Sequence, residues 1–326
     1  MNGAPRAGAR VVALGGGHGL SATLQALRRV TDDITAVVGV SDDGGSSGRL
    51  RREFGVIPPG DLRMALAALC GDDAWGRTWA RVVQHRFGGT GELSGHALGN
   101  LLIAGLWEHT DDIVTGLAWV AELLDAHGRV LPLANQPLDI VAEVVGLQEA
   151  DPEAVSTVIG QVAVARTQGS VRSIRLEPGD ACACPQSLAA VAEADAIIMG
   201  PGSWYTSVMP HIMLADMRQA IETARGKRIC ILNLSAHDAE TRDFEAHTHL
   251  DVLGAFASGL RFDVVLVDRT MMVDVDALTA SARRLGATVE VADLAQAPGS
   301  AQHSPDLLAA ALRKLLPARF PEPVAG

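Results

Sequence analysis

Residues Arg10 to Val40 read RVVALGGGHGLSATLQALRRVTDDITAVVGV. Arg10 to Leu14 has the length and apolar character of a short buried strand, and Gly15, Gly16, Gly17, His18 and Gly19 break it. Leu20, Leu24 and Leu27 then recur at helical spacing, predicting a helix over Ser21 to Val30. It closes on Arg28 and Arg29, where cations suit a helix C-terminus. Ile34 to Val40 is a second apolar strand. Strand, glycine turn, helix and strand make a β-α-β start, which points to a parallel sheet. Gly17-His18-Gly19-Leu20-Ser21-Ala22 also fits the loose dinucleotide pattern G-x-G-x-x-A, whose amides at a helix start favour a diphosphate. A nicotinamide-binding Rossmann oxidoreductase is therefore one open reading, with Asp42, at the end of the second strand, as its ribose ligand.

The next stretch, Val40 to Arg63, reads VSDDGGSSGRLRREFGVIPPGDLR. Asp42, Asp43, Gly44, Gly45, Ser46, Ser47 and Arg49 stand together at a strand's carboxyl end, where open α/β sheets place ligands. Glycines admit a backbone to close range, hydroxyls and a guanidinium fork hold phosphate oxygens, and carboxylates hold a sugar hydroxyl or a divalent cation. The same composition also occurs in ordinary solvated turns. Asp61, after Pro58-Pro59-Gly60, is read as the N-cap of a helix reaching Cys70, and it joins the nucleotide-binding set.

Farther along, helices are predicted over Ala74 to His85 and His96 to His109, the second carrying His96 and Asn100 four residues apart. Thr110, Asp111 and Asp112 cap a further helix ending near Ala126. Strands are predicted over Val130 to Leu133, Ile140 to Leu147, Val158 to Ala165 and Ile174 to Leu176. In the second half, helix Ser187 to Ala194, strand Ala196 to Met199, helix Met217 to Arg225, strand Arg228 to Leu232, helix Leu250 to Ser258, strand Val264 to Val267, helix Asp276 to Leu285, strand Thr288 to Val291 and a helix from Ser304 to Leu316 alternate. Alternation of this kind means an α/β fold, a Rossmann-like and mainly parallel sheet with helices on both faces. Gly200-Pro201-Gly202-Ser203-Trp204-Tyr205-Thr206-Ser207 leaves one of these strands as a second glycine and hydroxyl loop, and Asn233 closes the next strand on the same edge. Gly200, Gly202, Ser203, Tyr205, Thr206 and Asn233 complete the candidate crevice. No nucleophile and base stand at catalytic spacing, so no catalytic residue is assigned.

The 326 residues are read as one domain, 1–326, with a loose start over about 1–9 and a tail over about 318–326. With 48% hydrophobic residues the chain can build a large core. A formal charge of −11 argues against general affinity for nucleic acid or anionic membrane. Cys70, Cys182, Cys184 and Cys230 lack the spacing of a zinc site and read as reduced thiols. MNGAPRAGAR has no apolar core of a signal peptide, and no apolar run approaches ~18 residues. The expectation is a cytoplasmic protein.

Taken in order, VVALGGG, SDDGGSSGRLR, PPGDLR, QHRF, SGHALGN, GPGSWYTSVMP and the strand ending at Asn233 resemble the YvcK family of gluconeogenesis factors within the CofD-like superfamily. The resemblance spans about Arg10 to Val267. It implies binding of a nucleotide diphosphate sugar such as UDP-N-acetylglucosamine, and a role in cell shape and envelope synthesis during gluconeogenic growth. The superfamily's namesake implies the alternative, a metal-dependent phospholactyl transferase. On the regulator reading no cofactor is obligatory, and a Mg²⁺ ion on Asp42 and Asp43 is the optional addition. A homodimer and a further protein partner are expected. The chain departs from the family at His18 (commonly Thr), at Met64 (commonly Asn) and over Leu234 to Thr241.

Overall fold

The computed structural model describes residues 8–148, 150–234, 241 and 244–317. Most of the loose start and all of the tail lie outside the described residues. β1 (Val11–Gly15), β2 (Ile34–Val38), β3 (Arg129–Pro132), β7 (Ala196–Met199), β8 (Lys227–Ile231), β9 (Val264–Asp268) and β10 (Thr288–Ala292) form one seven-stranded sheet in the order β10-β9-β8-β7-β1-β2-β3. Every pairing in it is parallel. All residues of β1, β2, β7 and β9 are buried. Side chains alternate between faces, so complete burial means that both faces are covered.

From β1 the chain builds outward to β2 and β3. It then returns to the other side of β1 and builds outward again through β7 to β10. The loops leaving β1 and β7 therefore diverge, which opens a crevice at their carboxyl ends. Between β3 and β7 lies a small antiparallel sheet of β4 (Asp139–Val145), β5 (Ser156–Ile159) and β6 (Ser170–Glu177), in the order β5-β4-β6.

Helices follow the predicted spacing closely: α1 (Gly17–Leu27) buries Leu20, Leu24 and Leu27 as read. Three local readings need correction. The short helix expected to begin at Arg49, after the glycine-serine loop, starts earlier: it spans Gly45–Phe54 (α2) and ends at Gly55 in the left-handed region. Asp61 is not the N-cap of α3 (Pro59–Leu69); Pro58 holds that position and Asp61 sits in the first turn, where proline at N1 had already started the helix. The predicted strand Val158 to Ala165 divides at Gly160, φ +98, into β5 and the short α7 (Gln161–Ala165). Farther on, α4 is Ala74–Gln84, α5 is Leu98–Thr110 and α6 is Ile113–Leu123, the last capped by Asp112 accepting from the amide of Thr115. The chain closes with α13 (Pro305–Leu315), capped by Ser304. Among the described residues no helix is long and apolar enough to cross a membrane.

Candidate functional site

A cavity of about 560 Å³ occupies the divergence point between β1 and β7. Its near wall is backbone: Gly16, Gly17, His18 and Gly19 at the start of α1, facing Pro201, Gly202, Ser203 and Ser207 after β7. These walls approach so closely that a Cβ on Gly19 would stand 2.2 Å from the carbonyl oxygen of Pro201, so only glycine fits. At the helix start the amide of Gly17 is taken by the Asp61 carboxylate and that of Leu20 by the Gly16 carbonyl. The amides of His18 and Gly19 are left without a partner among the described residues, at the positive end of α1.

The sequence-predicted residues fall into two groups. Gly16 to Gly19, Gly202, Ser203 and Asn233 line the cavity. Asn233 does so as a brace: its Oδ1 accepts from the Gly202 amide and its Nδ2 donates to the Gly202 carbonyl, both at 2.9 Å. Gly15 is the last residue of β1, and Gly200, φ +80, turns the chain away from β7. Ser203 and Thr206 join hydroxyls at 2.5 Å. Tyr205 is buried edge-on against Phe244, so its ring belongs to the core rather than to the cavity wall.

The second group, around the Asp42–Arg49 stretch, sits behind Gly16. A Cβ on Gly16 would meet Asp61 Oδ2 at 2.5 Å, and one on Gly60 would meet Ser47 Oγ at 2.2 Å and Asp42 Oδ2 at 3.0 Å. Burial, with the charge of Asp42 beside it, pushes the Asp61 carboxyl up to about 7, against the pull of the Gly17 amide. Asp42 also accepts from the Gly44 amide at 2.9 Å. Asp43 accepts from the amide of Val162 at 3.0 Å, tying α7 to this loop. Among the described residues no group of three His, Cys, Asp or Glu side chains is arranged to hold a metal, and no chemical step is assigned to one.

Arg49 departs from the expectation that its fork turns toward a diphosphate. Its terminal nitrogens donate to the carbonyls of Ser94, at 2.8 Å, and Glu92, at 3.4 Å, bracing the glycine-rich 87–95 loop. Ser46, His96 and Asn100 do meet, in a buried network. Ser46 Oγ accepts from the Ala97 amide (3.3 Å) and from Asn100 Nδ2 (3.0 Å), and it lies 3.1 Å from His96 Nδ1. With both lone pairs engaged, the serine hydroxyl donates to Nδ1, which places the imidazole proton on Nε2. A neutral ring agrees with its lowered pKa, caused first by burial and then by the Arg49 charge.

Sequence reading missed the far wall of the cavity: Gln25 on α1, and Gln296, Gln302 and His303 on the connection from β10 to α13. That connection is held by Asp268 at the end of β9, whose carboxylate accepts from the amides of Leu294 and Ala295. Burial pushes His303 down to about 4, so it lines the cavity as a neutral ring. It also missed Arg63, only 5% exposed, whose Nε donates to Asn100 Oδ1 at 2.9 Å.

The family model described as 2-phospho-L-lactate transferase CofD matches residues 11–304, the whole span from β1 to the connection that closes the cavity. The chain belongs to the CofD family. Its place there is on the gluconeogenesis-factor branch, the YvcK proteins. A Mycobacterium tuberculosis protein (strain ATCC 25618 / H37Rv), provisionally named a gluconeogenesis factor, is 48% identical over 305 residues, covering 93% of this chain and 89% of the relative. The gluconeogenesis factor of Halalkalibacterium halodurans is 36% identical over 243 residues, 74% of this chain and 72% of its own length. A crystal structure from Bacillus halodurans superposes with a TM-score of 0.81 at 31% identity, covering 94% of this chain and 98% of that one.

Proposed function

We propose that this CofD-family protein binds a nucleotide diphosphate sugar of the UDP-N-acetylglucosamine type and serves as a regulator of cell morphogenesis and envelope synthesis during gluconeogenic growth. The observation that carries the binding claim is the make-up of the cavity. One end offers the unpartnered amides of His18 and Gly19 at the start of α1. The other offers the amide side chains of Gln25, Gln296 and Gln302. Among the described residues no carboxylate and no cysteine lines it, so a diphosphate meets no like charge on the described wall. Carboxamides at the far end suit the donor and acceptor edge of a nucleobase or an acetamido sugar.

The absence of acids from the described part of the wall also favours a binding role over a transferase. His18 is exposed, and His303 is held neutral by burial with the Leu232 backbone as its hydrogen-bond partner, so neither is set up as a general base. The gluconeogenesis-factor names of the relatives support the regulatory setting. Phosphorus NMR of the protein with UDP-N-acetylglucosamine and Mg²⁺ tests the role: the nucleotide resonances should broaden or shift without conversion. Loss of the sugar nucleotide at a catalytic rate would make the protein a transferase, as the name of the family model describes.

A further inference from the structure

Outside the cavity, the network of Ser46, Asn100, His96 and Arg63 ends in two donors that nothing engages. Arg63 is 95% withdrawn from solvent, with 5% exposed, and sits on α3 against Gly99 and Val83, where α5 and α4 close over it. Its Nε is bonded to Asn100, yet its two terminal nitrogens have no partner among the described residues. Neither is a fully enclosed atom, and among the described residues no carboxylate lies within ion-pair distance of Arg63. At the other end of the same network, His96 is 6% exposed, and its Nε2–H is likewise unpartnered and not enclosed.

A guanidinium withdrawn from water without an anion is an uncompensated charge, and folds normally supply one. The neighbouring charges do not supply it here. Asp42 and Asp61 act on Arg63 only from a distance, and Asp61 is itself held partly protonated near neutral pH. Arg86 adds a second positive charge beside it, repulsion that is the largest influence on Arg63 after burial. Arg86 is anchored through the Gly95 carbonyl at 3.0 Å. The network spends its hydrogen bonds on fixing the positions of these donors, not on neutralising them.

We propose that Arg63, with Arg86 beside it, forms a second subsite that receives a small oxyanion, a phosphoryl or carboxylate group. The fork geometry of a guanidinium matches two oxygens of either group. This subsite stands apart from the 560 Å³ cavity, none of whose lining residues belongs to it, and it does not depend on the nucleotide reading. In a chain that carries both, the cavity and the subsite would hold two different ligands.

The test is a calorimetric titration of inorganic phosphate into the full chain and into Arg63→Lys and Arg86→Gln, with melting curves to confirm folding. Arg63→Lys keeps the charge but loses the fork, and Arg86→Gln changes an exposed side chain whose one hydrogen bond among the described residues is to the Gly95 carbonyl. One class of phosphate site should weaken about tenfold or more in Arg63→Lys and several-fold in Arg86→Gln. Acetate at matched ionic strength then separates the ligands: competition marks a carboxylate, and its failure marks a phosphoryl group. Should Arg63→Lys not fold, Arg86→Gln alone decides. Phosphate affinity and stoichiometry unchanged in the folded variants would overturn the subsite.

Discussion

Asp61 is the residue in which the organisation of the site is most concentrated. It lies behind the glycine wall, caps the Gly17 amide and shares its surroundings with Asp42. In the unfolded chain its carboxyl titrates near 3.8, and in the fold near 7. Between those values the folded chain keeps a proton that the unfolded chain has released. Its contribution to stability is therefore full below about 3.8, falls as pH rises through the window and levels off above about 7. The slope from this one group is at most about 1.4 kcal/mol per pH unit. Melting midpoints of the wild type and Asp61→Asn from about pH 4 to about pH 8 should diverge as pH rises, with the variant, which retains an acceptor for Gly17, the more stable at the alkaline end. Parallel pH profiles would show that Asp61 is not buried as an acid. Asp42 gives a second test at this scale. If Asp42 holds ribose hydroxyls, Asp42→Asn should lower sugar-nucleotide affinity by the same factor with and without a chelator, as calorimetry would read. An effect that vanishes on chelation would return a cation to Asp42. Arg49 is where sequence and structure part: its fork is engaged by carbonyls 43 and 45 residues away in the chain, a contact no local pattern encodes. Arg49→Ala should accordingly disturb the 87–95 loop more than nucleotide affinity.

Among elements, legibility followed the range of the forces involved. The strands were readable because complete burial demands uninterrupted apolar runs, and Ala196–Met199 matches its predicted bounds. The two glycine loops were readable because close backbone approach admits only glycine. The first turn of α2 was hidden by Gly-Ser-Ser-Gly, a poor helix former that tertiary contacts hold in place, with Ser46, Ser47 and Leu50 buried. The wall formed by Gln296, Gln302 and His303 carried no signal, since its place is set by Asp268 on a different element. The brace from the end of β8 to the loop after β7 supplies the test at this scale. Asn233→Ala strands both the amide and the carbonyl of Gly202, a loss on the order of 1–3 kcal/mol. Sugar-nucleotide affinity should fall by roughly tenfold or more, with the melting temperature lowered by about a few degrees. An unchanged affinity would mean that the loop holds its shape without the clamp.

For the molecule as a whole, the antiparallel insertion is fastened to the candidate site at two points. Asp43 holds the amide of Val162, and Arg51 pairs with Asp139 at 2.9 Å while donating to the Leu138 carbonyl. Arg52, by contrast, is exposed, as expected of a neighbour on a helix. Arg51→Ala should destabilise the fold by roughly 0.5–1 kcal/mol, since the pair is only partly shielded from water, and denaturant unfolding would measure it. For the homodimer expected from the sequence, light scattering at several protein concentrations should give twice the chain mass, and a monomer throughout would overturn that expectation. The central claim, that the crevice between β1 and β7 is a nucleotide-sugar site, is tested most directly by backbone amide NMR during titration with UDP-N-acetylglucosamine. The account predicts saturable shifts at His18 and Gly19, with a second set at Gln302 and His303, and much weaker ones with NAD. Shifts confined to other parts of the chain, or shifts at these amides with NAD alone, would contradict it.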